Sequence, residues 1–554
     1  MNSQISKMKN IIKNLWVILV CLSFGLSANA QKREFKLNSK TTDYSVISLG
    51  DKGLALSYKS QKDIAGEDDR YLVSKYNQSL EKEFHLRIDV PKAYTHIQSR
   101  AVGSTVYMLF AIPTTRFSKY STITEMVATK HFQVIKVDLE KKEHKIVVGE
   151  VPSKLFAING FEVIDDDIYV VGHSAYNSLG AMFAFAGKKP HALLFSASGR
   201  DDEFKLQTTN YKGASMVTAI EKASDGQSLN VVITNYISKK EMAIYFIQAK
   251  RGRLGREEAF KFSDTKELVD FTFHEIDRKK KVLAGNFGDF KEETEGIFIT
   301  QFGDREGSFI KYHKFRAFED FYNFVEETPG KKISDKEKEY SNLSKRKNFQ
   351  YSTYMHPVHV FNTADTGSSS ARYNYTVVAE AYYPEYKTET IEDELDNGYT
   401  ITKQANVFYG YKYTHILVAN FDDGGDIDWS ICLPIFKIAT YQIKPRCHVA
   451  YNDEEGTVTV TYGTEGFINQ VTIKDGKVVK EVKPSEGLNN KELFIVKNNY
   501  SMDLQHWYDD YFIASGYKKF DYYGEGEKLI FFMNKVQAGN TLDFQLQEEV
   551  TEDE

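Results

Sequence analysis

The stretch Ile168-Tyr169-Val170-Val171-Gly172-His173, followed after a variable loop by Ala192-Leu193-Leu194-Phe195-Ser196-Ala197-Ser198, is apolar at nearly every position. A strand that buries one face alternates apolar and polar side chains; a short run apolar at consecutive positions must be covered on both faces. Just before it, Ile164-Asp165-Asp166-Asp167 reads as a tight polar turn. Just after it, Phe204 and Leu206 alternate with polar residues, the pattern of a half-exposed strand. The local unit is therefore a strand, a short turn, a doubly covered strand, a variable loop, a second doubly covered strand, a turn and an alternating outer strand.

The unit recurs along the chain. Second strands read LALSY (54–58), VYMLFAI (106–112), IYVVGH (168–173), LNVVIT (229–234), KVLAGNF (281–287), YTVVAEA (375–381), TVTVTYG (457–463) and YFIASGY (511–517). Third strands follow each, from RYLVSKY (70–76) to LIFFMNK (529–535), and alternating fourth strands include Phe84, Leu86 and Ile88 and, at the far end, Phe544 and Leu546. Inner strands covered on both sides and an outer strand half in water are what a radial array of four-stranded sheets requires. The pattern resembles β-propeller repeat proteins in general, which implies an all-β propeller of eight, alternatively seven, four-stranded blades over residues 31–547. No Trp-Asp, Gly-Gly or Ser-x-Asp-x-Gly-x-x-Trp signature recurs from unit to unit. Two smaller β domains, broken near residue 330, are the main alternative; a membrane barrel would alternate throughout.

Residues 1–30 have the layout of a secretory leader: Lys9 and Lys13, the apolar run 15–22, then Ala28-Asn29-Ala30 before Gln31. The apolar run is too short to span a bilayer, and no later stretch is long enough. The leader resembles those of exported Bacteroidetes proteins, so the expected location is the periplasm or the cell surface. The 71 Lys and Arg against 77 Asp and Glu give a formal charge of −6, and leader removal makes it more negative. That balance argues against nucleic acid or an anionic membrane as partner. Residues 548–554 form an acidic tail. Cys432 and Cys447 remain after leader removal. The strand order puts three spacings of about 4.8 Å between them, beyond the roughly 7 Å that a disulfide bridges; both are expected to be free.

Loop length chooses a face. The loops between second and third strands are unequal, with the largest insertion near 382–414, and the longest unit-to-unit link, near 316–354, falls on the same face, whereas the opposite turns stay short; unequal loops on one face of a repeat array mark a binding face. Phe318, Phe321, Tyr322 and Val325 have the spacing of one apolar helix stripe. Tyr382, Tyr383 and Tyr386 on one arm of the larger insertion, and Tyr409, Tyr411 and Tyr413 on the other, are the candidate binding residues. Aromatic faces with hydroxyl rims suit glycan or protein recognition; an aromatic ladder stiffening a hairpin is the structural alternative.

Chemistry-bearing motifs are sparse. His356 and His359 have a metal-like spacing, yet in a regular strand they would face opposite ways. Asp422, Asp423, Asp426 and Asp428 are candidate Ca²⁺ ligands without the order of an EF-hand loop, and an acidic hairpin turn explains them without a cation. No phosphate loop, G-x-S-x-G elbow or H-E-x-x-H occurs. The expectation is a cofactor-free, non-catalytic binding or scaffolding protein of the cell envelope, with an envelope protein or glycan as partner. The alternative is a propeller enzyme acting on carbohydrate, which requires two carboxylates converging in one pocket with a raised pKa.

Overall fold

The computed structural model describes residues 32–35, 44–60, 68–116, 127–151, 155–175, 191–209, 211, 213–223, 225–238, 241–262, 266–276, 280–289, 293–302, 309–324, 354–364, 373–394, 400–435, 439–440, 445–452, 454–464, 467–482, 503–509, 511–522 and 526–537. The leader, the acidic tail and the segment 331–349 lie outside them. The described chain is all-β, built of four-stranded antiparallel meanders. The first strands of successive units are Tyr44–Ser48, Thr95–Val102, Leu155–Ile164, Ala214–Lys222, Glu267–Glu275, Tyr354–Ala364, Cys447–Asn452 and Asp503–Tyr508. Units two and three merge into one sheet through the pairs Phe156↔Thr129 and Ala157↔Ala128.

The runs apolar on both sides have a direct cause. Ile168 and Val170 enter a core shared with unit two, beside Leu109 and Phe132, while Tyr169 and Val171 enter a core shared with unit four, beside Val231 and Ile247. In the same way Val377 and Ala379 pack toward unit five and Val378 toward unit seven. Each sheet is thus buried between two others. Fully burying one such aliphatic side chain contributes roughly 1.5–3 kcal/mol, so these shared cores, rather than any one sheet, hold the array together.

The last unit is composite. Asp503–Tyr508, Tyr511–Tyr522 and Gly526–Gln537 supply three strands, and the fourth position is filled by Lys32–Phe35, with Phe35 paired to Phe531. The alternation at Phe544 and Leu546 lies outside the described residues; the position assigned to it belongs to the N-terminal segment. Trp507, Ile513 and Phe531 then share a core with Val46, Leu54 and Leu56 of unit one.

First strands of successive units lie side by side through units one to six, and Asp503–Tyr508 touches both Cys447–Asn452 and Tyr44–Ser48. Units six and seven are tied by Glu380, whose Oε1 accepts the backbone N–H of Arg446 and of Cys447, both at 2.6 Å. In units two to six the first strand carries one extra residue at matching register: Ile97, Asn159, Thr218, Asp270 and Val358. Such a bulge re-aims the side chains that follow it.

Phe318, Phe321 and Tyr322 of that stripe do not form an α-helix, and none occurs among the described residues; Val325 lies outside them. Two 3-10 turns, Phe315–Ala317 and Phe321–Asn323, flank an extended Phe318 and a left-handed Asp320 at φ 57°. The stripe is too short to propagate a helix, and single turns bury Phe315, Phe318 and Phe321 against unit six just as well. His415 lies fully buried beneath, 4.7 Å from the Phe321 ring, and burial holds its pKa near 3.

Cys432 sits in the outer strand Ile427–Pro434 of unit six and Cys447 begins the first strand of unit seven, the positions expected from the sequence, and both are free thiols. Burial raises both thiol pKa values. Peptide mapping without reductant should therefore recover both cysteines unpaired, and Cys447 should label only on unfolding; a Cys432–Cys447 disulfide would contradict this strand order.

Candidate functional site

The larger insertion is a continuation of two strands rather than a loop. Tyr373–Glu394 and Thr400–Phe421 are 22 residues each and stay paired out to Glu394↔Thr400. At its root the proposed anchors are interior. Tyr382 is 3%, Tyr411 8% and Tyr413 1% exposed. The Tyr382 ring meets Tyr411 edge-on at 5.6 Å and lies 5.8 Å from Tyr413, within the core between units six and seven. This corrects the expectation that these three are exposed: adjacent sheets close over the root, and the aromatic ladder is a packing device. Tyr383 is half-buried beside Lys412. The side chains of Tyr386 and Tyr409 lie outside the described set, and Tyr409 is skipped by the register at a bulge. Tyr411→Ala should thus cost about 3–5 kcal/mol of stability, whereas replacing 386–408 by a short turn should leave denaturant unfolding nearly unchanged. Equal losses from both changes would mean that the ribbon is part of the core.

The Asp422-Asp423-Gly424-Gly425-Asp426 segment is a self-contained turn. Asp422 Oδ1 accepts the backbone N–H groups of Gly424 and Asp426, and Asp426 pairs with Lys311 at 3.0 Å. Gly425, at φ 80°, presses so closely on the Phe309 ring that a Cβ would lie 2.3 Å from it. The turn is a latch onto unit five. Among the described residues no group of three or more His, Cys, Asp or Glu is placed to hold a metal ion. The bulge at Val358 interrupts the regular strand on which the reading of His356 and His359 was based: they register with Glu380 and Val378, two rungs apart rather than three.

The chemistry that does converge lies on the first strands. Arg100 of unit two reaches Glu162 of unit three at 3.3 Å. Glu221 of unit four faces Glu275 of unit five, and Asn230 Nδ2 donates to Glu275 Oε2 at 3.3 Å. Desolvation first, and the Glu275 charge second, push the Glu221 pKa from 4.5 up to about 7. Next to this pair begin the imidazoles. His274 precedes Glu275 and interacts with His359 of unit six, which interacts with His448 of unit seven. His448 stacks on His506 of unit eight, ring centroids 4.8 Å apart and 9° from parallel. Desolvation lowers the pKa of His274 and His359, and desolvation together with His506 and His359 brings His448 to about 4.

Glu221, His359 and His506 are nevertheless exposed. All three belong to the first strands, which lie against one another from unit to unit. Arg100, Glu162, Glu221 and Glu275 sit near the ends of their strands, just before the short turns. That end is opposite the insertion-bearing face. Sequence reasoning missed these residues because seven units contribute them; the available signal was a Glu at the end of the first strand in three successive units.

No family model matches the chain, and no curated protein matches it. Among solved structures, the polysaccharide lyase Uly1 overlaps 89% of this chain and 99% of its own at 11% identity and a TM-score of 0.32. An ulvan lyase bound to a glucuronate–sulfated rhamnose segment covers 79% of this chain and 90% of its own at 10% identity, TM-score 0.32. The dihydro-heme d1 dehydrogenase NirN covers 79% and 72% at 13% identity, TM-score 0.29.

Proposed function

We propose that the protein is an exported, eight-bladed β-propeller of the bacterial cell envelope that engages a glycan at the passage along its axis, where Glu221 serves as general acid. One observation carries this reading: Glu221 and Glu275, from adjacent units, converge at a solvent-reachable point with Glu221 half-protonated near pH 7. A glycosidic oxygen leaves only when protonated, and an acid with a pKa near the working pH both holds and delivers the proton. The Glu275 carboxyl beside it would serve the water or the sugar carbon. The C–O bond breaks, the proton passes to the leaving oxygen and water supplies the new hydroxyl.

A second reading, a non-catalytic scaffold that docks an envelope protein, draws support from the ribbon of Tyr373–Glu394 and Thr400–Phe421, which continues well past the sheet. One experiment separates the two. Purified protein incubated with a panel of envelope and plant polysaccharides should release reducing ends; no product from any of them would sink the enzyme reading and leave the scaffold. Export is tested separately by intact mass from the native host, expected to lack residues 1–30.

A further inference from the structure

We infer that the imidazole wall formed by His359, His448 and His506 selects uncharged saccharides over uronate-bearing or sulfated ones; this inference rests on the axial-site reading. A neutral imidazole offers one donor and one acceptor, the same pair that a sugar hydroxyl offers in return. His506 Nε2 lies 2.8 Å from the Asp509 carbonyl oxygen, which can only accept, so Nε2 is the donor in that contact and the ring is held in one orientation. Phe512 closes edge-on against both stacked rings, at 5.6 Å from His448 and 5.5 Å from His506. The result is a flat aromatic platform with polar rims, the kind of surface on which the C–H face of a pyranose ring rests.

The cations are placed unfavourably for an anionic ligand. On the described first strands the basic side chains are Arg100 and Lys222. Arg100 is engaged by Glu162 and by the Ser99 carbonyl at 3.3 Å, and the Gln98 side-chain oxygen, turned to satisfy both groups, accepts from both of its terminal nitrogens at 2.8 and 2.6 Å. Lys222 follows Glu221 directly, so its side chain leaves on the opposite face of the strand. A sulfate or carboxylate entering the passage would meet Glu162 and Glu275 instead, at an uncompensated electrostatic cost.

The test is equilibrium binding, by calorimetry in a Glu221→Gln background so that ligand persists, to matched oligosaccharides: neutral glucan, xylan and mannan fragments against uronan and sulfated fragments. Neutral fragments should bind, and His506→Ala and His448→Ala should weaken them at least 10-fold, with His506→Asn recovering part of the loss. Melting temperatures within a few degrees of the parent show that the variants fold. Preferential binding of anionic fragments, with the same sensitivity to the histidine changes, overturns the inference while the axial site stands. Neutral binding indifferent to all three histidine variants also overturns it. Binding of no fragment removes the axial-site reading, and the inference with it.

Discussion

Glu221→Gln should lower glycan turnover by about 10²–10⁴-fold, the usual contribution of a positioned general acid, while the fold is retained. The amide keeps the shape of the side chain but cannot release a proton to the leaving oxygen. The pH dependence fixes the assignment. With a folded pKa of about 7, the wild-type acid is protonated below neutrality and spent above it, so turnover should fall on the alkaline side of pH 7. The variant should lack that limb. Stability gives an independent reading. The folded state holds the proton more tightly than the unfolded chain, so this carboxyl's favourable contribution is complete below about pH 4.5 and lost as pH rises through 7. Glu221→Gln should therefore gain melting temperature relative to wild type between pH 5 and pH 8. A constant difference across that range would show that Glu221 titrates normally.

Arg446→Met should produce the largest loss of stability of any single polar change, about 3–5 kcal/mol in denaturant unfolding. The Arg446 side chain is 4% exposed, and it bonds Asp503 Oδ1 at 2.8 Å while its guanidinium lies over the Tyr413 ring. Its backbone N–H is held by the fully buried Glu380, and Asp503 also receives the Tyr44 hydroxyl at 3.5 Å. The Arg446 side chain thus links Tyr413 of unit six to Asp503 of unit eight, and Asp503 carries the link on to Tyr44 of unit one. Removing it leaves the Asp503 charge without its partner in a largely dry setting. Pairing Arg446→Met with Asp503→Leu should recover much of the loss, because the penalty comes from the orphaned charge rather than from the missing bridge. A single variant within 1 kcal/mol of wild type would show that the site admits water.

The repeat was legible because burial on both faces leaves its mark on consecutive residues: Ile168–Val171 could not be read as a one-sided strand, and it is not one. Strand order followed, including the places of Cys432 and Cys447. The closing strand was not legible, since Lys-Arg-Glu-Phe is too short and too charged to signal pairing with Gly526–Gln537. The bulges were equally hidden. A single extra residue such as Val358 has no compositional signature, yet it shifts the register, so the regular alternation assumed between His356 and His359 is interrupted. Tyr382, Tyr411 and Tyr413 misled because their spacing reports a common face but not whether a neighbouring sheet covers it. The axial residues are scattered from Arg100 to His506, and only the folded array brings Glu221 within reach of Glu275.

The pairing of Phe35 with Phe531 imposes an order of events on folding. Synthesis from the N-terminus delivers Lys32–Phe35 at the outset and its partner strand about 500 residues later. Joining ends that far apart costs on the order of 5 kcal/mol in loop-closure entropy if the intervening chain is still loose. The cost nearly vanishes once the intermediate sheets have stacked and brought the two edges together. Closure is therefore the last step of maturation. Until it occurs, the first segment hangs free and one face of unit one stands uncovered, so a stalled or truncated chain should be cut first at its N-terminal end by added protease, while the finished molecule resists it.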